Sequence, residues 1–236
     1  MRNTDILLQR DYYRKTAEQY DAAHLSEDEH MIALSAFAGL VKNFAHASFL
    51  DVGAGTGRGM AFLQSVFPRS HIIGVEPVAE LRAQAFAKGI SEDAIIAGDA
   101  LALPFGNDEF DWVLETGVLH HIKGFRKATS EMCRVAKQGI LISDGNNLGQ
   151  GSKLIRSAKW VIKALGLWPA TMLLQTKGKG YKQSEGDGIF YSFCAFDCVD
   201  ILKEKFPTIH FMNTVPSDPS LRHAASHVMI VARSTN

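Results

Sequence analysis

A glycine-rich segment over residues 49–59, with the sequence F-L-D-V-G-A-G-T-G-R-G, constrains the fold more than any other part of the chain. It opens with a short apolar run that is typical of a buried strand. Glycines then alternate at Gly53, Gly55 and Gly57, and apolar residues recur at helical spacing from Met60 onward. Because glycine accepts a positive φ and has no Cβ, a ligand can lie directly against such a turn. The segment therefore predicts a strand, a tight ligand-binding turn and a helix.

Two phosphate-binding loops have related glycine patterns, and neither matches. A Walker loop needs a lysine followed by serine or threonine after its last glycine, whereas this chain has Arg58 followed by Gly59. The dinucleotide fingerprint G-x-G-x-x-G needs a glycine at its sixth position, which is Arg58 when counted from Gly53. The turn is therefore suited to a ligand that needs close backbone approach rather than a phosphate cradle.

The loop resembles the D-x-G-x-G-x-G loop of S-adenosylmethionine (SAM)-dependent methyltransferases of the Rossmann-like class. The resemblance implies a donor whose adenosine lies against the loop and whose two ribose hydroxyls are bound by an acid. Glu76 ends the next apolar run, 19 residues after Gly57, close to the spacing of ribose-binding acids in dinucleotide folds. The alternative is that the glycines only make a turn and that Glu76 is a solvated strand end.

Further motifs extend the resemblance over about residues 48–145. Asp99 follows the third apolar run, where the family has an acid that binds the adenine amino group. The segment 110–121 resembles the F-D-x-V … L-H-H segment of methyltransferases that act on quinones and other small metabolites. Residues 134–139, R-V-A-K-Q-G, resemble the family's R-V-L-K-P-G-G turn, except that Gln138 replaces the proline and one glycine is missing.

The resemblance also implies the residues of the site. His120 and His121 follow the fourth predicted strand, beside the expected methyl position, and each acts as a catalytic base or has only a structural role. The implied donor-binding residues are Tyr20, Asp51, Gly53, Ala54, Gly55, Thr56, Gly57, Glu76, Pro77, Asp99, Ala100 and Glu115.

The N-terminal segment over residues 5–22 reads as a helix, with Tyr12, Tyr13 and Tyr20 along one side. By the resemblance this helix folds over the donor site, and Tyr13 and Tyr20 then face the active site. Aromatic packing on a cap helix explains the same spacing equally well. Ser26 opens a capping-box pattern that predicts a second helix, with apolar residues at helical spacing as far as Phe44.

From residue 48 the pattern of strands and helices alternates, which favours an α/β protein with a parallel sheet. Strands are expected near 48–52, 72–76, 94–97, 110–114, 139–143, 208–215 and 227–233, and helices near 57–67, 78–88 and 124–136. Asp197 is expected to cap a further helix. The predicted fold is a doubly wound Rossmann-like methyltransferase fold with a mostly parallel seven-stranded sheet, an antiparallel last strand, an N-terminal helical cap and an inserted lid.

We expect one SAM-dependent methyltransferase domain over residues 1–236. Its parts are a helical cap (1–46), a SAM-binding core (47–147), a basic lid (148–190) and a final helix with two strands (191–236). The composition, 46% apolar and 21% charged, is ordinary for a globular protein. The chain has no run of 18 apolar residues and no signal-peptide pattern at its N-terminus, and its three cysteines suggest reduced thiols in the cytoplasm.

Residues 145–184 contain no acid, but they contain seven bases: Lys153, Arg156, Lys159, Lys163, Lys177, Lys179 and Lys182. The whole chain has 25 bases and 25 acids, so this segment of charge +7 belongs to a body of charge −7. The overall balance argues against a nucleic-acid partner. The segment is interpreted as a lid with a solvated basic face, as a binding surface for an anionic acceptor, or as a peripheral contact with an anionic membrane.

The leading prediction is in-line methyl transfer from SAM to a small-molecule acceptor that is anionic or partly apolar. The first alternative is a SAM-binding sensor or partner subunit without turnover. The second is a metal-assisted, catechol-type O-methyltransferase with ligands at Glu115, Asp144 and Asn146. Because Gly145 stands where that family has an asparagine, no metal is predicted.

Overall fold

A computed structural model of the chain describes residues 4–23, 28–41, 46–215 and 221–235. The helices are α1 (Thr4–Thr16), α2 (Tyr20–Ala23), α3 (Asp28–Val41), α4 (Arg58–Val66), α5 (Ala79–Ala87), α6 (Phe125–Val135), α7 (Lys153–Ala164), α8 (Trp168–Gln175), α9 (Val199–Lys205) and α10 (Leu221–Ala224). The strands are β1 (Ser48–Val52), β2 (His71–Val75), β3 (Ile95–Ile96), β4 (Phe110–Thr116), β5 (Ala136–Gly145), β6 (Tyr181–Ser184), β7 (Gly188–Tyr191), β8 (Thr208–Asn213) and β9 (His227–Arg233).

Seven strands form one sheet in the order β3-β2-β1-β4-β5-β9-β8. The first five run parallel, whereas β9 runs antiparallel to both β5 and β8. This topology confirms the predicted seven-stranded, mostly parallel sheet with an antiparallel last strand. Because the carboxyl ends of β1, β2, β4 and β5 share one edge, the loops that follow them meet there.

Both faces of the sheet are covered by helices, which is why the central strands are apolar on both sides. On one face, Met132 of α6 and Leu202 of α9 pack in the core. On the other, Phe37 of α3 and Leu63 of α4 pack against Trp112 of β4, and the rings of Phe37 and Trp112 meet edge to face at 5.3 Å between centroids. This two-sided core holds the strand ends in fixed positions.

The N-terminal helix and the start of α9 differ from the predictions. The expected N-terminal helix is interrupted by a 3₁₀ turn at Ala17–Gln19, between α1 and α2. Ser26 lies outside the described residues, as does Phe44. Asp197 does not cap α9: Cys198 holds the N-cap position without a side-chain hydrogen bond, and the Asp197 carboxylate pairs with Lys163.

The chain between β5 and α9 contains α7, α8 and a separate hairpin of β6 and β7. The hairpin packs against α1 through β7, so the insertion meets the N-terminal helix of the chain. Among the described residues, no helix combines the length and apolar character needed to cross a bilayer.

Two glycines of β5 give a direct test of sheet packing. A Cβ at Gly139 would lie 2.4 Å from the Ala232 carbonyl oxygen and 2.4 Å from the Trp112 ring, whereas a Cβ at Gly145 would meet nothing within 4 Å. We expect Gly139→Ala to lower the free energy of unfolding by about 1–3 kcal/mol through overpacking. Gly145→Ala is the matched control and should change it by less than about 0.5 kcal/mol. Equal stability of the two variants in chemical denaturation would contradict this packing.

Candidate functional site

The glycine loop after β1 places its three glycines in the left-handed region, with φ of 75° at Gly53, 54° at Gly55 and 81° at Gly57. Two of them are crowded by side chains: an added Cβ would lie 2.5 Å from Val118 at Gly53 and 2.1 Å from Ile90 at Gly57. At Gly55 the nearest atom to an added Cβ is 3.9 Å away. A Cβ at Gly55 would make only ordinary contacts with Tyr20 and the Gly53 carbonyl oxygen, so its bare backbone lines a space that a ligand can approach closely.

That space is a cavity of about 180 Å³ at the carboxyl ends of β1, β2 and β4, covered by α1. Most of the predicted donor residues line it, together with one of the two predicted catalytic histidines. They are Tyr20, Gly53, Gly55, Glu76, Pro77, Asp99, Ala100 and His121.

Glu76 lies at the floor of this cavity, 5% exposed. Its carboxylate accepts hydrogen bonds from the backbone N–H of Gly55 (3.0 Å) and of Val78 (2.8 Å). Burial raises the pKa of Glu76 to about 6 in spite of these bonds. Each carboxylate oxygen has a second lone pair, so the group can still accept bonds from a ligand's hydroxyls.

Asp99 lies at the mouth of the cavity. One carboxylate oxygen accepts from the Leu101 N–H (2.9 Å), and the other pairs with the Arg10 guanidinium of α1 (2.8 Å). Both side chains are about 40% exposed, so the pair is solvent-screened and contributes little to stability. The contact does, however, bring α1 down over the donor cavity.

Five predicted donor residues do not line the cavity: Asp51, Ala54, Thr56, Gly57 and Glu115. Asp51 is buried, and its carboxylate lies against Gly59 at the start of α4, where an added Cβ would come within 2.6 Å. Burial and the nearby Glu76 raise the pKa of Asp51 to about 7. In this structure the five residues shape the loop and its surroundings, and direct donor contacts from them stay predictions.

Glu115, Asp144 and Asn146, the ligand set of the metal-assisted alternative, do not share a ligand position. Glu115 accepts from backbone N–H groups of the turn after β4 and of β5, and burial raises its pKa well above the usual range. The Asn146 amide donates to the carbonyl oxygens of Ala225 and Arg222. These three side chains are occupied in separate places, so the catechol-type reading has no support in the structure.

His120 is held by Asp144 at the end of β5. Its Nδ1 lies 2.8 Å from one Asp144 carboxylate oxygen, and its backbone N–H donates to the other at 3.1 Å. On the far side, its Nε2 lies 3.3 Å from the carboxylate of Asp187. Burial opposes the charged form, but these two carboxylates outweigh it and hold the pKa of His120 well above its usual value.

His121 points toward the donor cavity instead. Its Nδ1 lies 2.6 Å from the Ile189 carbonyl oxygen, and its Nε2 lies 2.8 Å from the Tyr13 hydroxyl and 3.2 Å from Asp187. The two adjacent histidines therefore meet the same carboxylate from different sides.

Asp187 is the residue that sequence reasoning missed. It lies in the turn between β6 and β7, and its main chain is fixed by the Ser184 hydroxyl, which accepts from its N–H, and by Gln9, which donates to its carbonyl. No spacing pattern links position 187 to positions 120 and 121. The only local signal is an acid between two glycines, three residues after the acid-free basic segment.

A second, larger cleft of about 760 Å³ opens on the other side of the histidines, beneath α7, α8 and the β6–β7 hairpin. It shares Tyr13, Tyr20, Thr116 and Gly117 with the donor cavity, so the two spaces meet at the end of β4. His120 and Asp187 also line it. Its apolar lining comprises Ile155, Ile162, Trp168, Met172, Phe190 and Phe193.

Some basic residues of the lid bind the body of the protein, and others line the larger cleft. Lys163 pairs with Asp197, and Lys159 donates to the carbonyl oxygens of Asn147 and Gln150. These two lysines fasten α7 to the body of the protein. Lys159 and Lys182 line the larger cleft, whereas Lys177 does not. Part of the expected solvated basic face is therefore used in packing.

A second histidine pair lies at the rim of the larger cleft. His30 and His227 are buried and meet edge to face at 4.7 Å between ring centroids. Burial lowers the pKa of His30 to about 3 and that of His227 to about 4. Both imidazoles are therefore neutral in the folded protein at pH 5 and above.

The unfolded chain takes up protons on these histidines near pH 6.5, so the free energy of unfolding should fall as the pH decreases below 6.5. Each histidine contributes a slope of up to about 1.4 kcal/mol per pH unit. The dependence of the free energy of unfolding on pH is measured by denaturant titrations between pH 6 and 4.5. His30→Asn should reduce its slope by up to about 1.4 kcal/mol per pH unit, the equivalent of one bound proton. His71→Asn, at an exposed position at the start of β2, should leave it unchanged. An unaltered slope in the His30 variant would contradict a neutral buried imidazole.

Comparison with known proteins agrees with this geometry. Residues 50–143 match a family model described as a methyltransferase domain. Over 113 residues the chain is 31% identical to a demethylmenaquinone methyltransferase of Roseiflexus castenholzii, a match that covers 48% of each chain. The chain thus spans about half the length of the curated relatives that it matches.

Two solved structures share the fold over almost the whole chain. One is a SAM-dependent methyltransferase of Thermotoga maritima, with a TM-score of 0.56 at 20% identity, covering 95% of this chain and 99% of that one. The other is a protein of Pyrococcus horikoshii, with a TM-score of 0.60 at 17% identity and the same coverage. The fold is therefore the Rossmann-like fold of SAM-dependent methyltransferases.

Proposed function

We propose that the protein transfers a methyl group from SAM to a small-molecule acceptor. The observation that carries this proposal is the junction of the two cavities at Thr116 and Gly117. A donor in the smaller cavity and an acceptor in the larger cleft would meet there. The matching methyltransferase domain over residues 50–143 supports the same activity.

The residues of the smaller cavity fit SAM. Gly55 leaves room that a Cβ would fill, Glu76 retains lone pairs for the ribose hydroxyls, and Val75 and Leu81 supply apolar wall for the adenine. When bound, SAM supplies a methyl group that its sulfonium already activates. The protein's task is then to align donor and acceptor and to exclude water.

Tyr13 and Tyr20 of the N-terminal helices separate the junction from solvent, with their rings 5.8 Å apart. His120 faces the larger cleft and holds a proton between Asp144 and Asp187. Where an acceptor must lose a proton, we propose that the cluster of His120, His121 and Asp187 assists that loss. The sequence alone leaves each histidine either a catalytic or a purely structural role. The alternative without turnover gives no role to this polar cluster at the junction.

We infer an acceptor that is partly apolar and carries negative charge or oxygen functions. One part of the larger cleft is apolar, with Ile162, Trp168 and Phe193 in its wall. The rest of the wall is polar and carries the bases Lys159 and Lys182 as well as the acids Glu29, Asp144 and Asp187. The relative of Roseiflexus castenholzii acts, by its name, on demethylmenaquinone. We place this activity in the cytoplasm, as expected from three reduced cysteines, all of which are free and buried.

Replacement of Gly55 tests the donor site. We expect Gly55→Ala to weaken SAM binding by roughly tenfold or more, because the new Cβ enters the space that the ligand needs. The φ of 54° also imposes a backbone cost of about 1–2 kcal/mol on alanine. Gly89→Ala is the matched control, since Gly89 has a φ of 92°, open surroundings and no part in the cavity.

Titration calorimetry with SAM and NADH measures the effect, and mass spectrometry of acceptor candidates measures methyl transfer. Parent-like SAM affinity in Gly55→Ala would place the donor elsewhere. Tight SAM binding without a methylated product from any metabolite extract would favour the sensor alternative.

We further propose that the lid contacts an anionic membrane surface, which would give an apolar acceptor a direct route to the cleft. Exposed apolar side chains on α7 and α8 are numerous, and Leu154 and Leu174 are each 81% exposed. The acid-free segment around them supplies a positive charge. Such a combination favours a peripheral interfacial position.

The double variant Leu154→Gln/Leu174→Gln should reduce binding to vesicles of anionic lipid by roughly tenfold or more, because each buried leucine contributes about 1.5–3 kcal/mol. The matched control is Leu7→Gln/Leu8→Gln, which changes two exposed leucines of α1 outside the lid. Cosedimentation with anionic and zwitterionic vesicles measures the difference. If both double variants bind like the parent protein, or if the parent binds neither vesicle, the lid is not a membrane contact.

A further inference from the structure

The two adjacent histidines and the hairpin acid form a compact group of ligand atoms. His120 Nε2 lies 3.3 Å from one Asp187 oxygen, and His121 Nε2 lies 3.2 Å from the other. One ligand atom from each residue lies within 4.8 Å of the other two. Among the described residues this is the one group of three His, Cys, Asp or Glu side chains that meets this criterion.

The opposite nitrogens of both rings are already oriented by acceptors. The Asp144 carboxylate accepts a hydrogen bond from Nδ1–H of His120. The Ile189 carbonyl oxygen, which can only accept, takes a hydrogen bond from Nδ1–H of His121. With a metal bound, each ring would be neutral and would direct the lone pair of its Nε2 toward the ion beside Asp187. Histidine ligands in metal sites are oriented by the same kind of second hydrogen bond.

Two lone pairs and a carboxylate that face one another repel unless a positive charge lies between them. A proton on each ring is one solution to this repulsion. A metal ion is the other solution, and it satisfies all three groups at once.

We propose that His120, His121 and Asp187 bind a divalent zinc-type metal ion, with the remaining coordination position open to the larger cleft. Tetrahedral bonds of about 2.0 Å to nitrogen and oxygen separate neighbouring ligand atoms by about 3.3 Å. Each Nε2 lies at about this distance from its own nearer Asp187 oxygen, 3.3 Å for His120 and 3.2 Å for His121. Two histidines with one carboxylate and an open position are also a ligand set of catalytic zinc.

The β6–β7 hairpin fixes the main chain of Asp187 but leaves its side chain accessible from solvent. The Asp187 side chain is 40% exposed, so an ion can enter from solvent. Its main chain is nevertheless fixed by Ser184 and Gln9. The Tyr13 hydroxyl, 2.8 Å from His121 Nε2, shares that lone pair in the present arrangement and must turn aside when the ion binds.

The role of the ion in catalysis rests on the proposed function. A hydroxyl of the acceptor would occupy the open position, where the ion lowers its pKa and its proton leaves to solvent water. The oxygen then forms a bond with the methyl carbon while the carbon–sulfur bond breaks. The electron pair of that bond stays on sulfur, which leaves neutral S-adenosylhomocysteine.

The three cysteines are poorly suited to bind zinc in place of the proposed ligands. Cys133, Cys194 and Cys198 are buried, and burial raises the pKa of the Cys133 thiol to about 12 and that of Cys194 to about 11. Thiols of this kind are not the deprotonated ligands that zinc prefers.

The experiment is calorimetric titration of the untagged, chelator-treated full chain with Zn²⁺ in the absence of SAM, supported by the visible spectrum of bound Co²⁺. We expect one ion per chain and a tetrahedral cobalt spectrum. Asp187→Asn should weaken zinc binding by at least about tenfold and abolish that spectrum, since it removes the one anionic ligand. Glu185→Gln is the matched control, because it removes a neighbouring exposed charge of the same turn and should leave affinity unchanged. Circular dichroism establishes that both variants fold.

No zinc binding in the parent protein, or equal affinity in Asp187→Asn and Glu185→Gln, would overturn the metal site and leave an imidazolium–carboxylate cluster. A separate titration with SAM on the same preparation distinguishes the two proposals. Zinc binding without SAM binding would reject the methyltransferase proposal and retain the metal site, whereas SAM binding without zinc binding would do the reverse.

Discussion

The Glu76 carboxylate joins two loops on which the candidate site depends. It accepts one hydrogen bond from the glycine loop at Gly55 and one from the start of the next helix region at Val78. A buried carboxylate is costly unless such bonds satisfy it, so the two loops are held together by the same group that faces the donor cavity. The hydrogen bond to Glu76 also orients Gly55. Its N–H faces the carboxylate, and its α-carbon, which has no side chain, lines the cavity.

The second constraint is the contact between α1 and the β6–β7 hairpin. Gln9 donates to the Asp187 carbonyl and accepts from the Ile189 N–H, the Tyr12 hydroxyl donates to the Glu185 carbonyl, and the Tyr191 hydroxyl donates to Asp5. These contacts are polar and partly exposed, in contrast to the apolar contacts of the sheet core. The cover over the junction is thus held by bonds that water can replace, and it can open at lower cost than the core.

The two histidines show how one dipeptide can serve both cavities. They lie in a 3₁₀ turn with their ring centroids only 3.9 Å apart, yet His120 reaches Asp144 while His121 reaches Tyr13 and Ile189. The carboxylate of Asp187 then closes the gap between their Nε2 atoms. The polar cluster is therefore assembled from β5, α1, the turn after β4 and the hairpin, and each part restricts the others.

Local sequence determined the alternation of strands and helices and the donor loop, because both depend on short-range patterns. The seven-stranded sheet with its antiparallel last strand was implied by the family resemblance. Apolar runs ended by glycine or acid predict strands, and left-handed glycines predict a turn open to a ligand; these signals placed Gly55, Glu76 and Asp99 at one strand edge. Tertiary structure alone decided which glycine faces the cavity, which lysines of the lid are tied down by Asp197 or carbonyl oxygens, and that Asp187 meets His120 and His121. The contacts of Asp187 with the two histidines join residues more than sixty positions apart through side chains on separate elements. No periodicity encodes such a distance, since it is set by how the hairpin packs on α1 rather than by either segment's own preference.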